Sequence, residues 1–171
     1  LLLSKIEYYE AGLALQKAFR TVKTTVIEKS IEPIIKLVAK ELDLRYKLNL
    51  SADQPHFEFT NDQIEKLGVK ICFSSSGNGG QMINVVFGFY PLKPNSRKYE
   101  IEKQIDSLFC EKFKRYSGSG YKNWATLSYL DRYRDWEDLE VPKKIHFDSD
   151  RFKETLLTHL QKMKKIIAEI A

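Results

Sequence analysis

Residue types that carry enzyme chemistry are sparse in this chain and poorly spaced for it. His56, His146 and His159 are scattered, and Cys72 and Cys110 lie far apart with no C-x-x-C pattern, whereas a metal site of the zinc kind draws several such ligands together. His56 and Glu58 share one face of an alternating stretch and would hold a metal only with a third ligand. The plainer reading of His56 is a solvated face residue. Residues 74–80, Ser-Ser-Ser-Gly-Asn-Gly-Gly, resemble a phosphate loop in composition only. Such a loop must lead into a helix carrying Lys and Ser/Thr, so that backbone N–H groups meet the phosphate. These glycines lead into a strand pattern, which makes the segment a hairpin loop that needs residues tolerant of positive φ. A nucleophile–histidine–acid set assembles in space, so spacing does not test for one. Nothing marks a serine in a strained strand-to-helix elbow.

The strongest compositional signal lies in residues 112–136. Lys112, Lys114, Arg115, Lys122, Arg132 and Arg134 face two acids, Asp131 and Asp135, and are interleaved with Phe113, Tyr116, Tyr121, Trp124, Tyr129, Tyr133 and Trp136. Cations neutralise phosphates while aromatic faces stack on exposed bases, so the mixture suits a nucleic-acid surface. On that reading Lys114, Arg115, Lys122, Arg132 and Arg134 contact phosphates, and Trp124 stacks or wedges. The plainer reading carries more weight. It has Trp124 and Trp136 anchoring an irregular stretch to a sheet, with the cations solvated or paired.

Those residues must be positioned by elements legible from periodicity. Residues 67–92 form the centre, as a hairpin of strands over Val69–Ser74 and residues 81–90. Val69, Ile71 and Phe73 alternate with Lys70, Cys72 and Ser74, the period of a half-buried strand. The second strand is apolar on both faces, with Ile83, Val85, Phe87 and Phe89 on one side and Met82, Val86 and Tyr90 on the other, which predicts cover on each. Weak alternation over residues 45–50 and 56–60 adds two earlier strands, with one helical turn near residues 61–66, as in an antiparallel meander. Residues 1–29 read as a helix with stripes Leu2, Ile6, Tyr9, Leu13 and Leu15, Phe19, Val22, Val26. Ser30 then caps a second helix with Pro33 in its first turn, unless Pro33 marks a kink in one long helix. Ser96 caps a helix with the stripe Ile101, Ile105, Leu108, Phe109, Phe113, ending near residues 116–120. Residues 121–147 read as irregular, with 125–130 either a short strand or a helix. Asp148 or Ser149 opens the last helix, whose seam Phe152, Leu156, Leu160, Met163, Ile167, Ile170 packs on the domain's own sheet or against a partner helix.

At 171 residues, 43% hydrophobic and 30% charged, the chain fits one domain with a core of its own. Twenty-eight basic against 23 acidic residues give +5, a mild surplus compatible with a polyanionic partner. The two cysteines read as small core residues in a reducing, cytoplasmic compartment. No apolar run approaches the roughly 20 residues that span a bilayer, and no membrane partner is expected. The first residues, Leu-Leu-Leu-Ser, carry no initiating Met and are already in helical pattern, so the chain reads as a piece of a longer protein.

Two passages resemble a known family. Asn123-Trp124, Tyr129-Leu130 and Tyr133-Arg134-Asp135-Trp136 look like a "NWW…YKYL…YRNW" signature, and Val85-Val86-Phe87-Gly88-Phe89-Tyr90 is similar to an upstream "FGI" strand. Both resemble the carboxy-terminal portion of a bacterial PD-(D/E)XK nuclease-superfamily group, encoded near mobile or phage-defence genes, over about residues 55–170. That chemistry needs a carboxylate and a (D/E)-x-K on neighbouring strands to hold Mg²⁺ and activate water. No Asp or Glu here has a Lys two residues on, and Glu65-Lys66, Glu102-Lys103 and Glu111-Lys112 are adjacent pairs. The resemblance therefore implies a non-catalytic companion to an upstream nuclease domain of the same protein, with no catalytic residue, metal or cofactor of its own.

The expectation is one α+β domain over residues 1–171, with an antiparallel sheet of four to five strands flanked by helices and the terminal helices packed together. Its leading function is nucleic-acid recognition, with DNA as the partner, or regulation of a nuclease-like protein. The alternative is a protein-interaction or homodimerisation module using the seams of the terminal helices. A stand-alone enzyme comes last.

Overall fold

Five short strands alternate in residue type, and that alternation builds the sheet. The computed structural model describes residues 2–51, 54–75, 84–93, 98–114, 123–136, 138 and 140–171, the side chains of residues 2–6, 16, 17, 19, 20 and 23 excepted. Strands β1 (Arg45–Asn49), β2 (His56–Thr60), β3 (Val69–Ser74), β4 (Val86–Pro91) and β5 (Thr126–Tyr129) pair antiparallel in sequence order. The expected α+β meander is present, with five strands. Register brings Phe57 opposite Phe73 and Phe73 opposite Phe87, while Phe59, Ile71 and Phe89 form the next row. All six are buried. Phe57 and Phe73 stack with centroids 4.7 Å apart, and Phe73 and Phe87 follow at 5.7 Å.

Helices close this aromatic face. α3 (Tyr99–Lys112) lays Phe109 against Phe87 and Phe89. α5 (Ser149–Ile170) buries Phe152, Leu156, Leu160, Met163, Ile166 and Ile167. Its seam thus packs within the chain and leaves no partner helix to meet it there. α1 (Leu2–Glu41) joins the same core through Ile27, Ile31, Ile34, Ile35 and Val38. The terminal helices pack together as expected, with Lys164 donating to the Leu42 carbonyl and Lys153 paired with Glu41 at 3.3 Å. Cys72, Val86 and Leu127 are buried on the opposite side of the sheet, outside this core.

α1 is one helix through Pro33, so the single-helix alternative holds and the two-helix reading does not. Ser30 caps nothing; its hydroxyl donates to the Val26 carbonyl one turn back, the local bond by which a serine is accommodated inside a helix. The helix ends in a reversal: Leu44 N–H reaches the Ala39 carbonyl at 2.8 Å, Asp43 N–H the Lys40 carbonyl at 3.4 Å, and Asp43 takes φ 52°. This is the left-handed stop usually given to glycine.

Three further elements depart from expectation. α3 stops at Lys112, with Phe113 already extended (φ −141°, ψ 148°); the expected helix end near residues 116–120 and Ser96 lie outside the described residues. A helix, α4 (Glu140–Phe147), stands where irregular chain was expected, burying Val141 and Ile145. The strand-or-helix stretch is the strand β5. β4 begins at Val86, and predicted strand residues 81–83, like most of the glycine-rich loop, lie outside the described residues. The short helix α2 (Asp62–Lys66) follows Asn61, whose side chain accepts from Ile64 N–H as an N-cap.

Candidate nucleic-acid interface

The basic-aromatic segment divides when it folds. Trp136 is fully buried against Phe57 and Phe152, with its indole N–H donated to the Tyr133 carbonyl. Tyr133 is buried beside Phe152, and Phe113 packs on Phe87, Phe109 and His159. For these residues the anchoring reading holds, because each ring fills the core. The "FGI"-like strand has a structural cause too. A Cβ on Gly88 would lie 2.1 Å from the Thr126 carbonyl oxygen and 2.7 Å from Leu127 Cα, so β5 approaches β4 only where a side chain is missing.

The remaining aromatics gather elsewhere. Pairing of Lys70 with Tyr90, and of Val86 with Tyr129, places these residues on the sheet face opposite the core. Trp124, half-buried just before β5, meets Tyr90 edge-on at 5.4 Å. Lys70 Nζ stands 5.5 Å from the Tyr90 centroid, and the Arg134 guanidinium lies 3.7 Å from that of Tyr129. Arg134 is held in that pose by a 2.8 Å bond from Nε to the Asn84 side-chain oxygen. Asn84 has φ 51°, a conformation that asparagine tolerates better than most residues. Val85 N–H then reaches the Arg134 carbonyl at 2.6 Å, tying the start of β4 to the chain beyond β5.

Of the predicted site residues, Trp124 and Arg134 flank edge strand β5 on this face, and Arg132 is exposed in the 3-10 turn Asp131–Tyr133 directly after it. Lys114 is exposed, and its carbonyl accepts from the Ser128 hydroxyl, which sets it beside the same strand. Arg115 and Lys122 lie outside the described residues. Lys70 and Tyr90 were legible as one face of alternating strands, but their adjacency to Trp124 depends on register, which the sequence does not display. Lys112, counted among the cations, is paired with Glu169 at 3.1 Å.

Other candidate chemistry does not converge. Lys70 also pairs with Glu58, and His56 Nδ1 lies 2.8 Å from the Gln54 carbonyl. Among the described residues no three His, Cys, Asp or Glu side chains are placed to hold a metal ion. Cys72 is buried, and burial pushes its thiol up to about 12. Cys110, expected in the core, is exposed on α3. No described helix is long and apolar enough to cross a membrane. The chain matches no known family, no curated protein and no solved structure.

Proposed function

We propose that this chain is a non-catalytic nucleic-acid-recognition domain, the companion of a nuclease-like bacterial protein that the sequence resemblance implies. The observation that carries the recognition role is the grouping of Tyr90, Trp124 and Tyr129 on one sheet face, two of them carrying a cation over the ring. A guanidinium docked on an aromatic face keeps its outer N–H groups for phosphate while the plane remains available for stacking. Sheet-borne aromatics that take roughly two or three unstacked bases are a recurrent solution for single strands. Trp124 meets Tyr90 and Tyr129 pairs with Val86, four residues along β4 from Tyr90, about 13 Å of strand, which suits such a footprint. Lys114 and Arg132 supply positive charge along the edge of β5, where a backbone would run.

The test is fluorescence anisotropy with labelled single-stranded DNA and RNA at about 50 mM salt, repeated at rising salt. Binding weakens steeply with salt, and Arg132→Ala with Arg134→Ala flattens the slope of log K against log salt by about 1 to 2. Trp124→Ala weakens affinity at every salt concentration, because stacking of one base contributes roughly 1–3 kcal/mol. Absence of binding to either polymer, or binding indifferent to all three substitutions, removes the proposal.

A further inference from the structure

The amino-terminal part of α1 carries an apolar stripe that no described residue of its own chain covers. Tyr8, Leu15 and Val22 recur every seven residues, and Val26 continues the stripe; they are 79%, 73%, 62% and 56% exposed. Gly12 stands between Tyr8 and Leu15 at the intervening heptad position. A Cβ there would meet nothing within 4 Å. Glycine inside a helix costs about 1 kcal/mol relative to alanine, and this one has no intramolecular contact to account for it. Close approach of a second helix would do so. The exposed large side chains of the stripe present on the order of 500 Å² of largely apolar surface. That lies at the upper end of the largest patch on an ordinary monomer. Two such faces together reach the roughly 1,000 Å² a specific interface requires.

We propose that α1 pairs antiparallel with α1 of a second copy of this chain, Tyr8 of each copy lying opposite Val26 of the other. The shape of the two ends fixes that choice. Beyond Val26 the stripe opens into an apolar groove of about 420 Å³ between α1 and α4, lined by Val26, Ile31, Pro142, Ile145 and Phe147, with Phe147 82% exposed. Tyr8 lies about 27 Å away at the far end of the stripe, at ~1.5 Å per residue. A two-fold axis near residue 17 carries the Tyr8 ring of each copy to the groove of the other, aromatic anchor into pocket. The same operation sets Gly12 opposite Val22, small against large. Parallel pairing puts Tyr8 on Tyr8 and leaves both grooves open.

Sedimentation equilibrium and cysteine cross-linking of the 171-residue chain decide the matter. The wild type is a dimer at tens of micromolar. Leu15→Glu with Val22→Glu weakens the dimer at least ~30-fold with unchanged circular dichroism, since both side chains are exposed in the monomer. In a Cys110→Ser background, mixing Tyr8→Cys with Val26→Cys gives a disulfide-linked pair, and neither variant links to itself. A disulfide needs its Cα atoms within about 7 Å. A monomer at 100 μM, a dimer indifferent to the double substitution, or self-linking of Tyr8→Cys each overturns the proposal.

Discussion

His159 shows what a half-buried residue can do to stability. Its ring is stacked on Phe113 at 5.5 Å and edge-on to Phe87 at 4.6 Å, with Nδ1 donating to the Thr155 carbonyl at 2.7 Å. Burial holds its pKa below the usual 6.5; the Thr155 carbonyl and Asp131 oppose that shift and Lys162 adds to it. The unfolded chain therefore binds the proton more readily than the folded one. This contribution is fully present above pH 6.5 and is lost as pH falls from there through the lowered value. Urea titrations at pH 7 and pH 5 will show lower stability at the acid end, and His159→Phe will reduce that difference. The two thiols differ in the same way. Ellman's reagent will titrate one thiol, Cys110, in the native protein and both in denaturant, because reaction needs an accessible thiolate. The sequence places Cys72 and Cys110 on a strand and a helix, but burial of each follows from what packs over the face it occupies. That is a tertiary fact.

At the scale of elements, periodicity was most informative where it was strong. The strands β2 and β3, the helix α5 and the Asn61-capped turn are all legible, because each carries its burial pattern in its own residues. α4 was equally signalled by Asp138, whose side chain accepts from Glu140 N–H, by Pro142 in the first turn, and by Val141 and Ile145 four apart. The aromatic residues before it made the whole region look irregular. β5 was ambiguous for a physical reason: four residues are too few for either period to show. The α1 terminus offers a direct test. Asp43 occupies a left-handed position in which glycine has no Cβ penalty, so Asp43→Gly will stabilise the protein by about 0.5–1 kcal/mol in chemical denaturation.

For the molecule as a whole, the fold class followed from the order of elements, while the candidate interface needed the sheet register to bring Lys70, Tyr90, Trp124, Tyr129 and Arg134 to one face. No single stretch of sequence contains that group. The split of the basic-aromatic segment was likewise invisible, since Trp124 and Trp136 look alike until one meets Phe57 and the other Tyr90. The α5 seam illustrates the reverse case. Met163 is fully buried among the chain's own helices and sheet, so Met163→Glu will reduce stability by roughly 3 kcal/mol or more. The measurement is the midpoint of thermal unfolding, which will fall at every protein concentration. A surface contact between copies would instead give a concentration-dependent loss.

Synthesis proceeds from α1 toward α5, and the meander lets each strand pair with the one that emerged just before it. The aromatic rows of β2, β3 and β4 are therefore assembled well before Phe152 to Ile167 leave the ribosome. For that interval the face lacks the cover that α5 gives it, such as His159 on Phe87, an apolar surface of the kind that chaperones shield. The last 22-residue helix is thus the lid on folding as well as a wall of the finished core, and a ribosome stalled before it would hold an aggregation-prone sheet.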